Sequence, residues 1–100
     1  MSQPDDLLSV ETTPDGVRAT GEIDAHSAPS LAAALDAAGP TVRLDLSGVE
    51  FVDSSGLRVL IDAHQRLEAA GGSLTIVSPS DPVHRLLQIS GVDDYLAIEH

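Results

Sequence analysis

A pair of adjacent serines is the first feature with chemical potential. In "FVDSSGLRVL", residues 51–60, Asp53 precedes Ser54 and Ser55, Gly56 follows, and an apolar run with helical spacing begins at once. Serines in such a place can serve as a nucleophile, as a helix cap, or as a hydroxyl that another protein modifies. Nucleophilic catalysis needs a base within hydrogen-bond reach. His64 lies ten residues beyond Ser54, which on a helix is roughly 15 Å away. The nucleophile-elbow pattern G-x-S-x-G is also absent, because Val52 and Asp53 precede Ser54. The spacing argues against a serine hydrolase. His64 is expected to be a packed, hydrogen-bonded residue at the edge of the core.

Metal and nucleotide chemistry fare no better. His26, His64, His84 and His100 are scattered, with no short ligand spacing. Asp93 and Asp94 read as a solvated pair in a turn. Neither a G-x-G-x-x-G loop nor a phosphate-binding lysine is present. No cofactor and no metal are expected.

The capping role is a real competitor for the serines, since a side-chain oxygen at a helix start accepts an otherwise unpaired N–H. One cap needs one oxygen, however. If Asp53 or one serine caps, the other hydroxyl is left free at a strand-to-helix turn. The C-terminal end of a parallel strand is where α/β sheets place functional groups. A phosphate there would meet the positive end of a helix.

The elements that position this turn follow from hydrophobic periodicity. "LLSVETT" (7–13) and "VRATGEI" (17–23) read as strands joined by the turn "PDG", hence as an antiparallel hairpin. "SAPSLAAALDAAG" reads as a helix, with Ser27 able to cap, Pro29 in the first turn and Gly39 past the end. Ala28, Leu31, Leu35 and Ala38 share its inner face. "TVRLDL" (41–46) is a strand, after which "SGVE" turns the chain. The helix opened by the serines carries Leu57, Leu60, Ile61, His64 and Leu67 on one stripe. Arg58, Asp62, Gln65 and Arg66 face away, and Gly71 and Gly72 stop it. "SLTIVS" (73–78) is a further strand. "SDPVHRLLQISG" is a helix with Asp81 as cap, Pro82 first, Val83, Leu86 and Leu87 inward and Gly91 as terminator. "YLAIE" (95–99) is the last strand. The order β-β-α-β-α-β-α-β predicts an α/β domain, a mixed sheet with helices packed on it.

Composition bounds the partners. The chain has 100 residues, which suits one domain spanning 1–100 that buries roughly 60–70% of its unfolded surface. Phe51 and Tyr95 are the only aromatics, so the core must be aliphatic, and without cysteine there is no disulfide framework. No apolar run approaches the ~18 residues of a membrane helix, so membrane insertion is not expected. The start "MSQPDDLL" is acidic and unlike a signal peptide. Residues 1–6 read as a flexible tail, and a cytoplasmic location is expected. The net charge is −11, from 16 acids against five arginines and no lysine. That balance disfavours nucleic acid and anionic lipid. It suits solubility, or a basic patch on a protein partner.

"GEIDAHSAPSL" (21–31) followed by "LDLSGVEFVDSSGLRVL" (44–60) resembles the STAS domain, and within it the bacterial anti-sigma factor antagonists. "GGSLTIVSPSDPVHRLLQISGV" is similar to the family's fourth strand and third helix, so the resemblance runs from Leu7 to about Glu99. It implies a regulator, not an enzyme. The unphosphorylated antagonist binds an anti-sigma factor that is also a serine kinase of the GHKL type, and the sigma factor is freed. Phosphorylation releases the antagonist, and a metal-dependent serine phosphatase restores it. The phosphoacceptor implied is Ser54, the first hydroxyl residue after Asp53. Asp24 matches an acidic residue of the partner face, and Asp53, Ser55 and Gly56 match the rest of the loop. Ser27 and Arg58 are expected to complete the partner-binding set. Many members carry a further C-terminal helix, for which the residues up to His100 leave no room. STAS accessory subunits of lipid-transporting ABC systems are the alternative; the intact Ser54 favours the phosphoswitch.

Overall fold

Alternating apolar residues make the strands, and the computed structural model, which describes residues 7–100, arranges them in one sheet. The flexible tail expected at 1–6 lies outside the described residues. The elements are β1 (Leu8–Thr13), β2 (Gly16–Ile23), α1 (Ala28–Ala37), β3 (Thr41–Val52), α2 (Ser54–Ala69), β4 (Ser73–Val77), α3 (Asp81–Ile89) and β5 (Ala97–Glu99). Their order is the one expected. β1 pairs antiparallel with β2, and β2, β3, β4 and β5 follow in parallel.

Right-handed crossovers between neighbouring strands place all the helices on one face. On that face Leu31 and Leu35 of α1, Leu60 and Ala63 of α2, and Val83 and Leu87 of α3 cover Val17, Val42, Leu44, Leu46, Leu74 and Ile76. Burying each large aliphatic chain contributes about 1.5–3 kcal/mol. The opposite face is polar. Arg18 bridges Glu11 and Asp45 there, and Arg43 reaches past β4 to grip Glu99 on β5 with bonds of 2.9 and 2.6 Å.

β3 departs most from expectation. "SGVE" is not a turn, and the strand runs on to Val52. Its pairing with β2 slips instead: Arg18 faces Asp45, but Thr20 faces Gly48, so Leu46 and Ser47 share one partner residue. This is a bulge. The Ser47 amide and hydroxyl both donate to Asp45 Oδ1, at 2.9 and 2.7 Å, which satisfies the bulged residue locally. The inward side chains change phase with it, from Leu46 to Val49. A second slip passes from Gly21–Val49 to Glu22–Phe51.

Smaller differences have local causes. Ser80, not Asp81, is the N-cap of α3, because its extended backbone (ψ 166) presents the carbonyl that accepts His84 N–H at 2.8 Å. Asp81 then lies inside the first turn, where a negative charge is favourable. β5 starts at Ala97, not Tyr95, since the amides of Tyr95 and Leu96 both donate to the Val92 carbonyl in a turn. In α2 the buried stripe is Gly56, Leu60, Ala63 and His64, with Leu57, Val59 and Leu67 half-buried against it. Ile61, expected inward, is not part of that packing.

Candidate functional site

Only Asp53 separates the end of β3 from the start of α2. Its amide donates to the Ile23 carbonyl at 3.2 Å, which ties the end of β2 to the corner. Its carbonyl accepts Leu57 N–H, and its Oδ1 accepts Ser55 N–H at 2.8 Å. The aspartate is therefore the cap, and the alternative left open by the sequence closes. Ser54 is the first residue of α2 and is exposed, whereas Ser55 is half-buried. Among the described residues none is hydrogen-bonded to the Ser54 hydroxyl.

Gly56 lets the helix sit close to the sheet. A Cβ there would stand 2.6 Å from Val52 Cγ2 and 2.8 Å from Ile23 Cγ2. The residue is buried and shapes the corner.

The neighbouring corner, after β2, is built around Asp24. Its Oδ1 accepts the amides of His26 and Ser27, both at 3.0 Å. The Ser27 hydroxyl accepts the Asp24 amide at 3.0 Å and lies 3.0 Å from the Glu22 carbonyl and 3.1 Å from Asp24 Oδ1. The Ser27 amide, above all, holds the Asp24 carboxyl below its ordinary pKa, with His26 adding to the effect and partial burial opposing it. Ser27 occupies the N-cap position of α1 but makes no side-chain cap bond. It is 3% exposed. Its hydroxyl and amide are engaged inside the loop, where they hold Asp24 in place.

Between the two corners lies an open cleft of about 490 Å³. Ala25, Ala28 and Pro29 form one wall, and Ser54, Arg58 and Asp62 line the other. The apolar wall was not singled out from the sequence. Its only signal was the position of these residues just after "GEID". Asp24, Asp53, Ser54, Ser55 and Arg58 thus gather at the C-terminal ends of adjacent strands and the helix starts that follow them.

His64 belongs elsewhere. It is 6% exposed, its ring meets Tyr95 edge-on at 4.9 Å, and its Nε2 lies 3.6 Å from Glu68. The packing expected of it is present, but Nδ1 is buried without a partner among the described residues, so it is not fully hydrogen-bonded. Among the described residues no cluster of His, Cys, Asp or Glu could hold a metal. No helix among them is long and apolar enough to cross a membrane.

This fold and this corner define a family. The chain belongs to the STAS domain family: residues 8–98 match the family described as "Mlab, STAS domain". It is similar to the anti-sigma-B factor antagonist of Listeria monocytogenes, 36% identical over 84 residues that cover 80% of this chain and 74% of the relative. Among solved structures, an anti-sigma factor antagonist from Mycobacterium paratuberculosis is 30% identical with a TM-score of 0.77, covering 99% of this chain and 90% of its own. The antagonist SpoIIAA in its unphosphorylated form is 25% identical with a TM-score of 0.72, over 93% and 88% of the two chains. SpoIIAA of Bacillus has also been solved in a phosphorylated form, which at 24% identity and a TM-score of 0.67, over 93% and 91%, shows the fold alone.

Proposed function

We propose that this chain is a cytoplasmic anti-sigma factor antagonist switched by phosphorylation of Ser54. The observation that carries the reading is the division of labour at the corner. Asp53 caps α2, so Ser54 stands exposed with its hydroxyl unengaged. Its partner is an anti-sigma factor of the GHKL serine kinase type, and a serine phosphatase resets it. Asp24, Asp53, Ser55 and Arg58 surround Ser54 in the contact, with Ser27 and Gly56 holding the two corners in shape. The chain acts by binding and has no catalysis of its own. The names of its relatives favour this reading over the accessory subunit of a lipid-transporting ABC system.

Phosphorylation adds about −1.5 to −2 charges to a chain at −11. A charge left poorly paired in an interface costs about 2–5 kcal/mol, or roughly 30-fold to several thousand-fold in affinity. Incubation with the cognate kinase and ATP, followed by mass spectrometry, should place one phosphate on Ser54. Phosphate on Ser55, or phosphate persisting in Ser54→Ala, overturns the assignment. Ser54→Asp should keep the wild-type circular dichroism spectrum and bind the kinase weakly by calorimetry, while Ser54→Ala binds and is not released. Equal affinity of Ser54→Asp and wild type would show that charge at this position does not break the complex.

A further inference from the structure

We infer that the phosphate on Ser54 is received by Arg58 of the same chain, so that one modification both adds an anion to the cleft and withdraws its cation. This rests on Ser54 being the modified hydroxyl. Three of the arginines are already engaged: Arg18 with Glu11 and Asp45, Arg43 with Glu99, and Arg66 with Asp36. Arg58 is exposed, has no carboxylate within ion-pair distance among the described residues, and lines the same cleft as Ser54. The facing wall of Ala25, Ala28 and Pro29 offers no charge of either sign.

Position on the helix sets the pairing. Ser54, Arg58 and Asp62 are spaced four apart and so form one row along α2. Side chains on a helix lean toward its N-terminus, which carries the Arg58 guanidinium toward Ser54 and away from Asp62. Pairs at this spacing are also stronger with the anion on the N-terminal side. Ser54 phosphate with Arg58 has that orientation, and Arg58 with Asp62 has the reverse. A phosphate near −2 further outcompetes a single carboxylate. In the unmodified chain Arg58 is therefore free to meet an acidic group on the partner. In the modified chain it is turned back on its own helix, and Asp53, Asp62 and Asp24 are left as the charged groups around it.

The test uses the full chain with phosphoserine installed at position 54 during translation, and phosphorus NMR to titrate the phosphate. Its second pKa should be lower in the wild type than in Arg58→Gln by roughly 0.15–0.4 of a unit. Arg58→Lys should fall between them, because an ammonium keeps the charge but loses the fork. Unphosphorylated Arg58→Gln should melt with the wild type, which shows that the fold is intact. The same phosphate pKa in wild type and Arg58→Gln overturns the pairing. The kinase and calorimetry experiments ask whether Ser54 is the switch, whereas this titration asks only where its phosphate goes. Either can fail alone.

Discussion

The Asp53 carboxylate holds the Ser55 amide at 2.8 Å, and no serine hydroxyl has a part in capping α2. The cap and the exposed hydroxyl of Ser54 thus belong to different residues, one position apart. Asp53→Ala should cost about 1 kcal/mol, the usual value of an N-cap, read as a lower midpoint in urea with an unchanged slope. Asp53→Ser should recover most of it. Equal stability of Asp53→Ala and wild type would show that the cap contributes nothing.

Gly56→Ala separates helix propensity from packing. In an open helix this change gains up to about 1 kcal/mol. Here the new methyl would meet Val52 and Ile23 at 2.6 and 2.8 Å, and overpacking costs about 1–3 kcal/mol. A net fall in melting temperature is expected. A rise would mean that α2 can lift from the sheet at little cost.

His64→Phe should leave stability equal or slightly raised. The ring keeps its edge-on contact with Tyr95, and a buried nitrogen without a partner disappears. Binding to the anti-sigma partner should be unchanged. Loss of binding at an unchanged melting temperature would place His64 in the interface.

Acid should unfold the protein through a few identified carboxylates. Hydrogen bonds from Ser27 lower the pKa of Asp24, and the Arg43 guanidinium lowers that of Glu99. At Asp45 burial pulls upward, but the Ser47 and Arg18 bonds prevail and the pKa is lowered. A depressed folded pKa stabilises fully above the unfolded value and is lost as pH falls through the folded one. Melting temperature should therefore decline below the ordinary values of 4.5 for glutamate and 3.8 for aspartate. Glu99→Gln and Asp24→Asn should each flatten that decline. An acid limb as steep as wild type in both variants would remove these groups from the account.

Periodicity made the element order legible, because each helix and strand buries one face and its apolar spacing records which. Local signals misled where tertiary pairing overrides them. Ser47 and Gly48 look like a turn, yet pairing with β2 keeps β3 extended through them, and a bulge at Leu46 and Ser47 takes up the irregularity. Tyr95 has the β-propensity of a strand residue but lies in a turn against His64. Contacts between distant residues left no trace in local spacing. Arg43 and Glu99 are 56 positions apart, His84 meets His100 edge-on, and the Ala25–Pro29 wall faces Ser54 only once α1 and α2 lie side by side. The Ser54 loop itself was legible because its residues are consecutive. Which residue caps was not, since Asp53, Ser54 and Ser55 all carry suitable oxygens and only the backbone geometry distinguishes them.

The slips in β3 have a consequence for distance along the sheet. Between the pairs Arg18–Asp45 and Ile23–Val52, β2 advances five residues while β3 advances seven. Two residues of strand are worth roughly 6.6 Å, and the bulges absorb that surplus so that both strands finish level. The Asp24 and Asp53 corners face one another because of this equality. Removing either surplus residue would restore regular pairing at that point and leave the corners level, since the residues beyond each slip keep their partners on β2. β3 thus carries two extra residues without displacing the cleft, and what they add is the local bend and twist of a bulge at each slip before the corners.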